Sequence, residues 1–304
     1  MLPLKEITNT RILYSFLNWG KGHLSRSIGI CKQLVQQGNR LVVACEKEDF
    51  LVLSEYLDNL EFVELANYPF HFSGKGNFAV DLWKSRKALL QHLQNEQVIV
   101  ENLVKEYQID VVLSDHRYGF YSKHVSSVFI THQVNLALKW WQFPAQMIHN
   151  RWMQAFSWIW ILDDDAQSLA GKLSTSNRWA NSSYIGHFSR FDATTIDTPK
   201  KLVIGVCNGP FPYNFQLLQQ LEAIKHLDYI ITSLPCKDKR AIQPRSWKET
   251  DALFYQAKTI YSYCGYTTLM DIKALGCEGN LYPTPGQSEQ VYLHQLHKSK
   301  IERQ

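Results

Sequence analysis

The sequence predicts an α/β protein made of two Rossmann-like, doubly wound domains that face each other. The chain has 304 residues, the length of two domains of about 150 residues each. Short apolar runs alternate with amphipathic stretches, and the alternation starts again after residue 200. A polar segment, DATTIDTPK at 192–200, separates the two series and resembles a linker. We therefore expect an N-terminal domain over 1–188 and a C-terminal domain over 189–304.

The first half opens with a βαβ unit. A strand at 12–17 leads through the loop NWGKGH into a helix at 24–37, and LVVACE at 41–46 is typical of a buried parallel strand. The other elements expected in this half are strands at 62–65, 110–115 and 127–133 and a long helix at 80–107. Ligands bind beyond the carboxyl ends of such strands, where this sequence places polar residues.

The second half repeats the pattern. Its expected strands are KLVIGV, DYIITS, TIYSYC and GNLYP, and its expected helices are NFQLLQQLEAI, a short one at 249–257, TTLMDIKAL and SEQVYLHQL. Two successive α/β series of this kind are the main basis for the predicted fold.

Composition narrows the function classes. A net charge of +4 is too small to indicate nucleic-acid binding. The six cysteines form no C-x-x-C pair, and their apolar surroundings favour reduced thiols and a cytoplasmic protein. The N-terminus lacks the apolar core of a signal peptide, and no apolar run is long enough to cross a membrane.

The segment GKGHLSR at 20–26 follows the first predicted strand. Gly20 and Gly22 allow close approach of the backbone to a ligand, and the following helix offers free N–H groups to a phosphate. The segment is neither the dinucleotide fingerprint, because Ser25 replaces the third glycine, nor a P-loop. His23 can act as a base near neutral pH. A tight turn with a helix-capping histidine is the equally favoured alternative.

A second glycine-led helix start, GYTTLMD at 265–271, is followed by PTPGQSEQ at 283–290. Its N–H groups suit a diphosphate, and Asp271 lies where its carboxylate could accept bonds from ribose hydroxyls. The alternative is an ordinary turn followed by an ordinary helix start.

Together these segments resemble the donor site of the MurG-like, family 28 glycosyltransferases. GKGH resembles the family's glycine-rich loop, THQVN at 131–135 its H-x-x-N strand end, and GYTTLMD with PTPGQSEQ its donor signature. SDHRYGF, ITHQ and YIGHFSRF extend the likeness, over nearly the whole chain, to uncharacterised bacterial proteins of the family 28 type. The chain departs from the family in having SYCG where S-x-S-G is usual, and its closing helix is expected to be short or missing.

The resemblance implies the GT-B fold, with a nucleotide-sugar donor, most simply a UDP-sugar, on the second domain and the acceptor on the first. It implies transfer by in-line displacement, without metal or cofactor. His23 is the first candidate base and Asp115 the second; Arg190 would bind the diphosphate or form a hinge salt bridge. The other residues implied at the donor site are Gly20, Gly22, Gly265, Tyr266, Thr267, Thr268, Asp271 on the ribose, and Glu289 and Gln290 on the sugar. Those implied on the acceptor side are His132, Gln133 and Asn135.

Two segments have competing interpretations. DDD at 163–165 could bind a metal, but its position after an apolar run favours capping of a helix. The aromatic stretch at 138–161 could contact a membrane or a lipid-linked acceptor, although a core role is favoured. The aromatic stretch leaves open a peripheral contact of the protein with the inner membrane face. The acceptor is unknown, and lipid-linked and cell-envelope molecules are the options.

Two other functions remain open at this stage. One is a nucleotide-sugar hydrolase, since some small relatives share the G-x-G-H-x-x-R loop that GKGHLSR matches and use water as acceptor. The other is a non-catalytic subunit that binds a sugar nucleotide.

Overall fold

The computed structural model describes residues 3–76, 78–138, 140–192 and 199–301. Within these residues, two sheets of parallel strands are present, one in each half of the chain. The strands of the first sheet are β1 Arg11–Phe16, β2 Arg40–Cys45, β3 Glu61–Glu64, β4 Val111–Asp115, β5 Ser126–Thr131, β6 Trp158–Ile161 and β7 Ser182–Tyr184. The strands of the second are β8 Leu202–Val206, β9 Tyr229–Ile231, β10 Ala241–Ile242, β11 Ala257–Tyr263 and β12 Glu278–Tyr282.

Both sheets are doubly wound. The strand order is β3-β2-β1-β4-β5-β6-β7 in the first and β10-β9-β8-β11-β12 in the second. Each order reverses beside its first strand, between β1 and β4 and between β8 and β11. These reversals are the switch points where ligands of such sheets bind. The predicted two-domain Rossmann-like fold is therefore confirmed.

Helices cover the sheets. In the described part of the chain they are α1 Gly22–Gln36, α2 Lys47–Tyr56, α3 Phe78–Glu106, α4 Phe143–Met153, α5 Tyr213–Ala223, α6 Lys248–Tyr255, α7 Tyr266–Leu275 and α8 Ser288–Ile301. α7 ends where Gly276 adopts a left-handed conformation with φ of +61°, a usual way to end a helix. None of the helices in the described residues is both long and apolar enough to cross a membrane.

The two halves share one hydrophobic core. Buried side chains of α1, including Leu24 and Ile28, pack in the same cluster as Leu269 and Met270 of α7. Leu293 of α8 is also buried in this cluster. α8 reaches the first half through Tyr292, whose hydroxyl accepts a hydrogen bond from the backbone N–H of Lys172 at 2.9 Å. The predicted SEQ helix, α8, therefore contacts both halves.

The structure adds elements that the pattern did not predict, namely α2, α4, β6, β7 and β10. The predicted domain boundary at residue 188 lies between β7 and β8. Residues 193–198 of the predicted linker lie outside the described residues.

Candidate functional site

A cavity of about 1600 Å³ lies between the carboxyl ends of the two sheets. Phe16 of β1 is paired with Asp115 of β4, so the loops after these strands leave the first sheet side by side. The loops after β8 and β11 line the cavity from the second half. All the predicted site residues line this cavity except Asp115 and Asn135.

α1 begins at the cavity wall, directly after the glycine loop. Gly20 has a φ of +147°, a conformation that L side chains rarely adopt, so this position needs glycine. Gly22 and His23 form the first turn of α1, and no side chain caps that turn. The first N–H groups of the helix therefore have neither an intrahelical acceptor nor a capping side chain.

α7 also begins at the cavity wall, with Gly265 as its N-cap and again no capping side chain. Thr267 in its first turn donates a hydrogen bond from Oγ1 to the carbonyl oxygen of Gly22, at 3.0 Å. The N-terminal turns of α1 and α7 are therefore in direct contact beside the cavity. Both helix dipoles have their positive ends here, which favours an anionic ligand.

Asn208, in the loop after β8, makes hydrogen bonds that hold the start of α7 in place. Its Nδ2 donates to Thr268 Oγ1 at 3.2 Å, and its Oδ1 accepts from the backbone N–H of Tyr263 at 3.0 Å. The side chain thereby links the loop after β8 to the end of β11 and the start of α7. Sequence reasoning missed Asn208, although it lies in a C-N-G loop that follows a predicted strand.

His23 belongs to a buried charged cluster. Its Nδ1 lies 3.1 Å from Asp115 Oδ1 and 2.8 Å from Arg26 Nη2. Arg26 also binds both carboxylate oxygens of Asp115, with Nε at 2.6 Å from Oδ2. Burial raises the pKa of Asp115, but Arg26 and His23 outweigh burial and hold this pKa well below the usual range. Burial and Arg26 lower the pKa of His23, so the imidazole is neutral at pH 7.

Asp115 was predicted as the second candidate base, and its environment argues against that role. Its carboxylate is fully buried behind His23 and Arg26 and does not line the cavity. A carboxylate with such a low pKa is a poor proton acceptor at neutral pH. The geometry instead makes Asp115 a partner of His23.

His132 connects this cluster to the second half. Its Nε2 lies 2.7 Å from Glu289 Oε1, and its Nδ1 lies 3.3 Å from Arg26 Nη1. Its ring stacks on Tyr266 with a centroid separation of 4.1 Å and an interplanar angle of 1°. Burial raises the pKa of Glu289, but His132 and Arg26 outweigh burial and lower it. Glu289 is therefore ionised at neutral pH.

Asp271 lies on the second turn of α7 and lines the cavity. Ser189 donates to its Oδ1 at 2.5 Å. Burial raises the pKa of Asp271 to about 6, against the opposing effects of Arg190 and Ser189.

Arg190 forms the hinge ion pair that was one of its two predicted roles. Its Nε lies 3.2 Å from Asp251 Oδ1, and its guanidinium lies over the rings of Trp247 and Phe254 at 4.9 and 4.8 Å. The side chain also lines the cavity.

Two predicted ligand residues, Gln290 and Asn135, make hydrogen bonds that hold loops. Gln290 Oε1 accepts from the backbone N–H of Thr284 at 2.9 Å, and its Nε2 donates to Gln287 at 2.8 Å, which holds the proline loop. Asn135 does not line the cavity, because its amide donates to the carbonyl oxygens of Lys172 and Thr175 at 3.0 and 2.8 Å. Asn135 therefore does not contact this cavity, and its role on the acceptor side stays a prediction. Gln133 does line the cavity, beside His132.

The prediction that the DDD segment caps a helix is wrong. Residues 162–170 form turns, and Asp163 lies at their centre, where its carboxylate accepts from the N–H groups of Leu169 and Ala170 and from Ser174 Oγ. Asp163, Asp164 and His187 are close enough to offer a metal three ligand atoms. Protein donors already occupy these carboxylates, since Lys273 Nζ lies 3.3 Å from Asp164.

The aromatic stretch divides between core and surface. Phe156 and Trp160 are buried, as the favoured interpretation required. Trp140, Phe143 and Met147 are exposed instead, at 85%, 57% and 60%. The first-half wall of the cavity nearby is largely apolar; side chains of α3 and α4 in it include Leu82, Leu89, Leu93, Pro144, Ile148 and Trp152.

Arg26 is the main residue that sequence reasoning missed as a site residue. It is the last residue of GKGHLSR, one helical turn after His23, so the two side chains share a helix face. Its burial beside Asp115 follows only from the pairing of β1 with β4.

The fold is shared with solved glycosyltransferase structures. The spinosyn rhamnosyltransferase SpnG complexed with thymidine diphosphate matches with a TM-score of 0.59 and 13% identity, covering 96% of this chain and 91% of that one. Arabidopsis thaliana UGT89C1 complexed with UDP-L-rhamnose has a TM-score of 0.58 and 13% identity, covering 97% of this chain and 84% of that one. MurG of Acinetobacter baumannii has a TM-score of 0.54 and 12% identity, over 95% and 84%. At these identities the likeness establishes the two-domain GT-B fold. No protein-family model and no curated protein sequence matches the chain.

Proposed function

We propose that this protein is a glycosyltransferase that moves a sugar from a nucleotide-sugar donor to an acceptor. The observation that carries the proposal is the direct contact of two uncapped helix N-termini, at Gly22 and Thr267, in the wall of one cavity. Such termini stabilise a diphosphate by N–H donation and by their dipoles. The thymidine diphosphate and UDP-L-rhamnose complexes of similarly folded proteins support a nucleotide-sugar as donor.

The donor is proposed to bind mainly to the second half, as in the MurG-like family. The first turn of α7 would hold the diphosphate, Asp271 the ribose and Glu289 the sugar. Asp271 and Glu289 both line the cavity. UDP is the first nucleotide to test, on the basis of the family resemblance.

His23 is the proposed base. An acceptor hydroxyl oxygen attacks the anomeric carbon of the donor, the bond from that carbon to the diphosphate oxygen breaks, and the hydroxyl proton passes to Nε2 of His23. Asp115, 3.1 Å from Nδ1, would stabilise the imidazolium that forms. The diphosphate leaves with the electron pair of the broken bond, beside the helix N-termini. No step requires a metal.

The acceptor is proposed to carry a sizeable apolar part, as a lipid-linked molecule does. The apolar side chains of α3 and α4 would bind that part, with His132 and Gln133 between it and the donor. The exposed Trp140, Phe143 and Met147 lie on and just before α4, which supports peripheral contact with a membrane that holds such an acceptor.

Calorimetric titration with UDP, UDP-GlcNAc and UDP-glucose tests the donor site. Binding by the wild-type protein that Asp271→Ala weakens strongly, and that Asp238→Ala leaves unchanged, is the expected result. Asp238 is a suitable control because it is a carboxylate of the second half that pairs with Arg240 and does not line the cavity. Equal affinity in wild type and Asp271→Ala would remove Asp271 from the site.

Release of UDP then separates transfer from the alternatives. Transfer predicts that release needs an acceptor, which can be screened as a panel of apolar alcohols and phenols. Release at the same rate without an acceptor would identify a hydrolase. Binding of a UDP-sugar without any release would identify a non-catalytic binding protein.

A further inference from the structure

Arg26 donates hydrogen bonds to three side chains of the site while 99% buried. Its Nε and Nη2 bind the two carboxylate oxygens of Asp115. Nη2 also lies 2.8 Å from His23 Nδ1, and Nη1 lies 3.3 Å from His132 Nδ1. A buried guanidinium that contacts both a histidine and its carboxylate partner is not needed for the base mechanism proposed above.

These contacts restrict where neutral His23 carries its proton. His23 Nδ1 faces the Arg26 guanidinium, which has only donors, at 2.8 Å and the ionised Asp115 carboxylate, which has only acceptors, at 3.1 Å. The shorter contact favours Nδ1 as the acceptor from Nη2. Nη2 has two hydrogens, enough to bond both Asp115 Oδ1 and His23 Nδ1. The proton of the neutral imidazole therefore resides on Nε2, the nitrogen that is not held by Arg26 or Asp115.

His132 is held in a similar way. Its Nε2 lies 2.7 Å from the Glu289 carboxylate, which only accepts, so Nε2 carries the proton. Its Nδ1 is then free to accept from Arg26 Nη1, at 3.3 Å. The hydrogen bonds run from Glu289 of the second half, through His132 and Arg26, to His23 of the first.

We infer that Arg26 is a positioning residue that holds His23 with its proton on Nε2, and that His132 links this arrangement to Glu289 on the donor side. In this form Nε2 donates a hydrogen bond and cannot accept a proton. His23 becomes a base only when its proton moves to Nδ1, toward Asp115 at 3.1 Å, and its bond from Arg26 is released. This consequence for catalysis rests on the proposed function, whereas the position of the proton does not.

The charged and titratable groups around His23 come from four elements. They are Arg26 on α1, Asp115 and His116 at the end of β4, His132 after β5 and Glu289 on α8. Among them Arg26 opposes the imidazolium and Asp115 favours it. Replacing the guanidinium of Arg26 should therefore favour protonation of His23 at Nδ1, which then faces Asp115.

Nitrogen-15 NMR of the histidine rings in the free wild-type protein at pH 8 tests the inference. Long-range proton–nitrogen correlations distinguish the two tautomers, and the signal lost in His23→Gln identifies His23. The expected result is a protonated Nε2 and an unprotonated Nδ1. A protonated Nδ1 would overturn the inference. Because neither donor nor acceptor is present, this result does not depend on whether the protein transfers sugars.

Arg26→Lys provides a second measurement. Lysine keeps a positive charge beside Asp115 but lacks the planar guanidinium that bonds Asp115 and His23 together. We therefore expect His23 to shift toward the Nδ1-protonated form and its titration midpoint to rise. Arg117→Lys is the matched control, because Arg117 is equally buried and pairs with Glu96 at 2.6 Å without contacting His23. An unchanged tautomer in Arg26→Lys, or the same change in Arg117→Lys, would contradict the role of Arg26. If Arg26→Lys does not fold, the wild-type spectrum decides alone.

Discussion

Thr267 donates a hydrogen bond to the carbonyl oxygen of Gly22, and this single contact joins the first turns of two helices that are 245 residues apart in sequence. Its geometry brings the positive ends of α1 and α7 to the same cavity. The proposed diphosphate site therefore exists only when the two halves are in contact.

Replacing Thr267 with Val should weaken this contact. Valine has nearly the shape of threonine but no hydroxyl, so the carbonyl of Gly22 loses its donor, at a cost of about 1 kcal/mol in the free energy of unfolding. Urea denaturation measures this loss. Thr267→Ser keeps the hydroxyl and serves as the control, and a Val variant as stable as the Ser variant would show that the bond contributes little.

Gly286 should tolerate no side chain. Its φ is +80°, and a Cβ there would overlap the backbone oxygen of Gly76 in the first half. Gly186→Ala is a matched control, because Gly186 has a φ of +85° but open space around the added Cβ. We expect Gly286→Ala to lower the free energy of unfolding by roughly 2 kcal/mol more than Gly186→Ala does. Equal losses would mean that only the backbone conformation matters.

Asp271 should make folding less favourable at neutral pH. Its pKa is about 6 in the folded protein against 3.8 ordinarily, so the folded state binds more protons than the unfolded state between these values. Stability contributed through this group is therefore lost as pH rises from 4 to 6, by up to about 3 kcal/mol. Asp271→Asn should accordingly raise the thermal midpoint at pH 7 while weakening nucleotide binding. Identical pH dependence of the midpoint in both proteins would contradict this.

Turnover should require His23. His23→Gln is expected to reduce kcat by about 10²–10⁴-fold while nucleotide affinity stays near the wild-type value. Since burial and Arg26 lower the pKa of His23, the imidazole stays neutral, and activity should persist, below pH 6.5. A pH profile of kcat tests this second point. Retained turnover in His23→Gln would place the base elsewhere.

Treatment with EDTA should leave turnover unchanged. The helix termini supply the positive potential at the proposed diphosphate site, and the carboxylates of Asp163 and Asp164 are occupied by Ser174, Ser168 and Lys273. A strict requirement for Mg²⁺ or Mn²⁺ would instead identify Asp163, Asp164 and His187 as a metal site.

Much of the fold was predictable because its signals are local. A short stretch of sequence is enough to show an apolar run with the period of a strand or a helix, or a glycine turn after a strand. The order of elements near Gly20 and Gly265 followed from such patterns, and those loops do line one cavity. Elements with weak periodicity, such as β7 and β10, were missed because partners far along the chain stabilise their short strands.

By itself, the sequence determined two parallel α/β units, the glycine-led helix starts and the histidine beside the first of them. Tertiary structure alone decided which side chains meet. Arg26 contacts both His23 and Asp115, although Asp115 is 89 positions away from it. His132 contacts Glu289, 157 positions further along the chain, and the amide of Asn135 donates to a loop at 172–175. Hydrogen bonds between distant segments depend on angles and separations of about 3 Å, which a one-dimensional pattern does not encode.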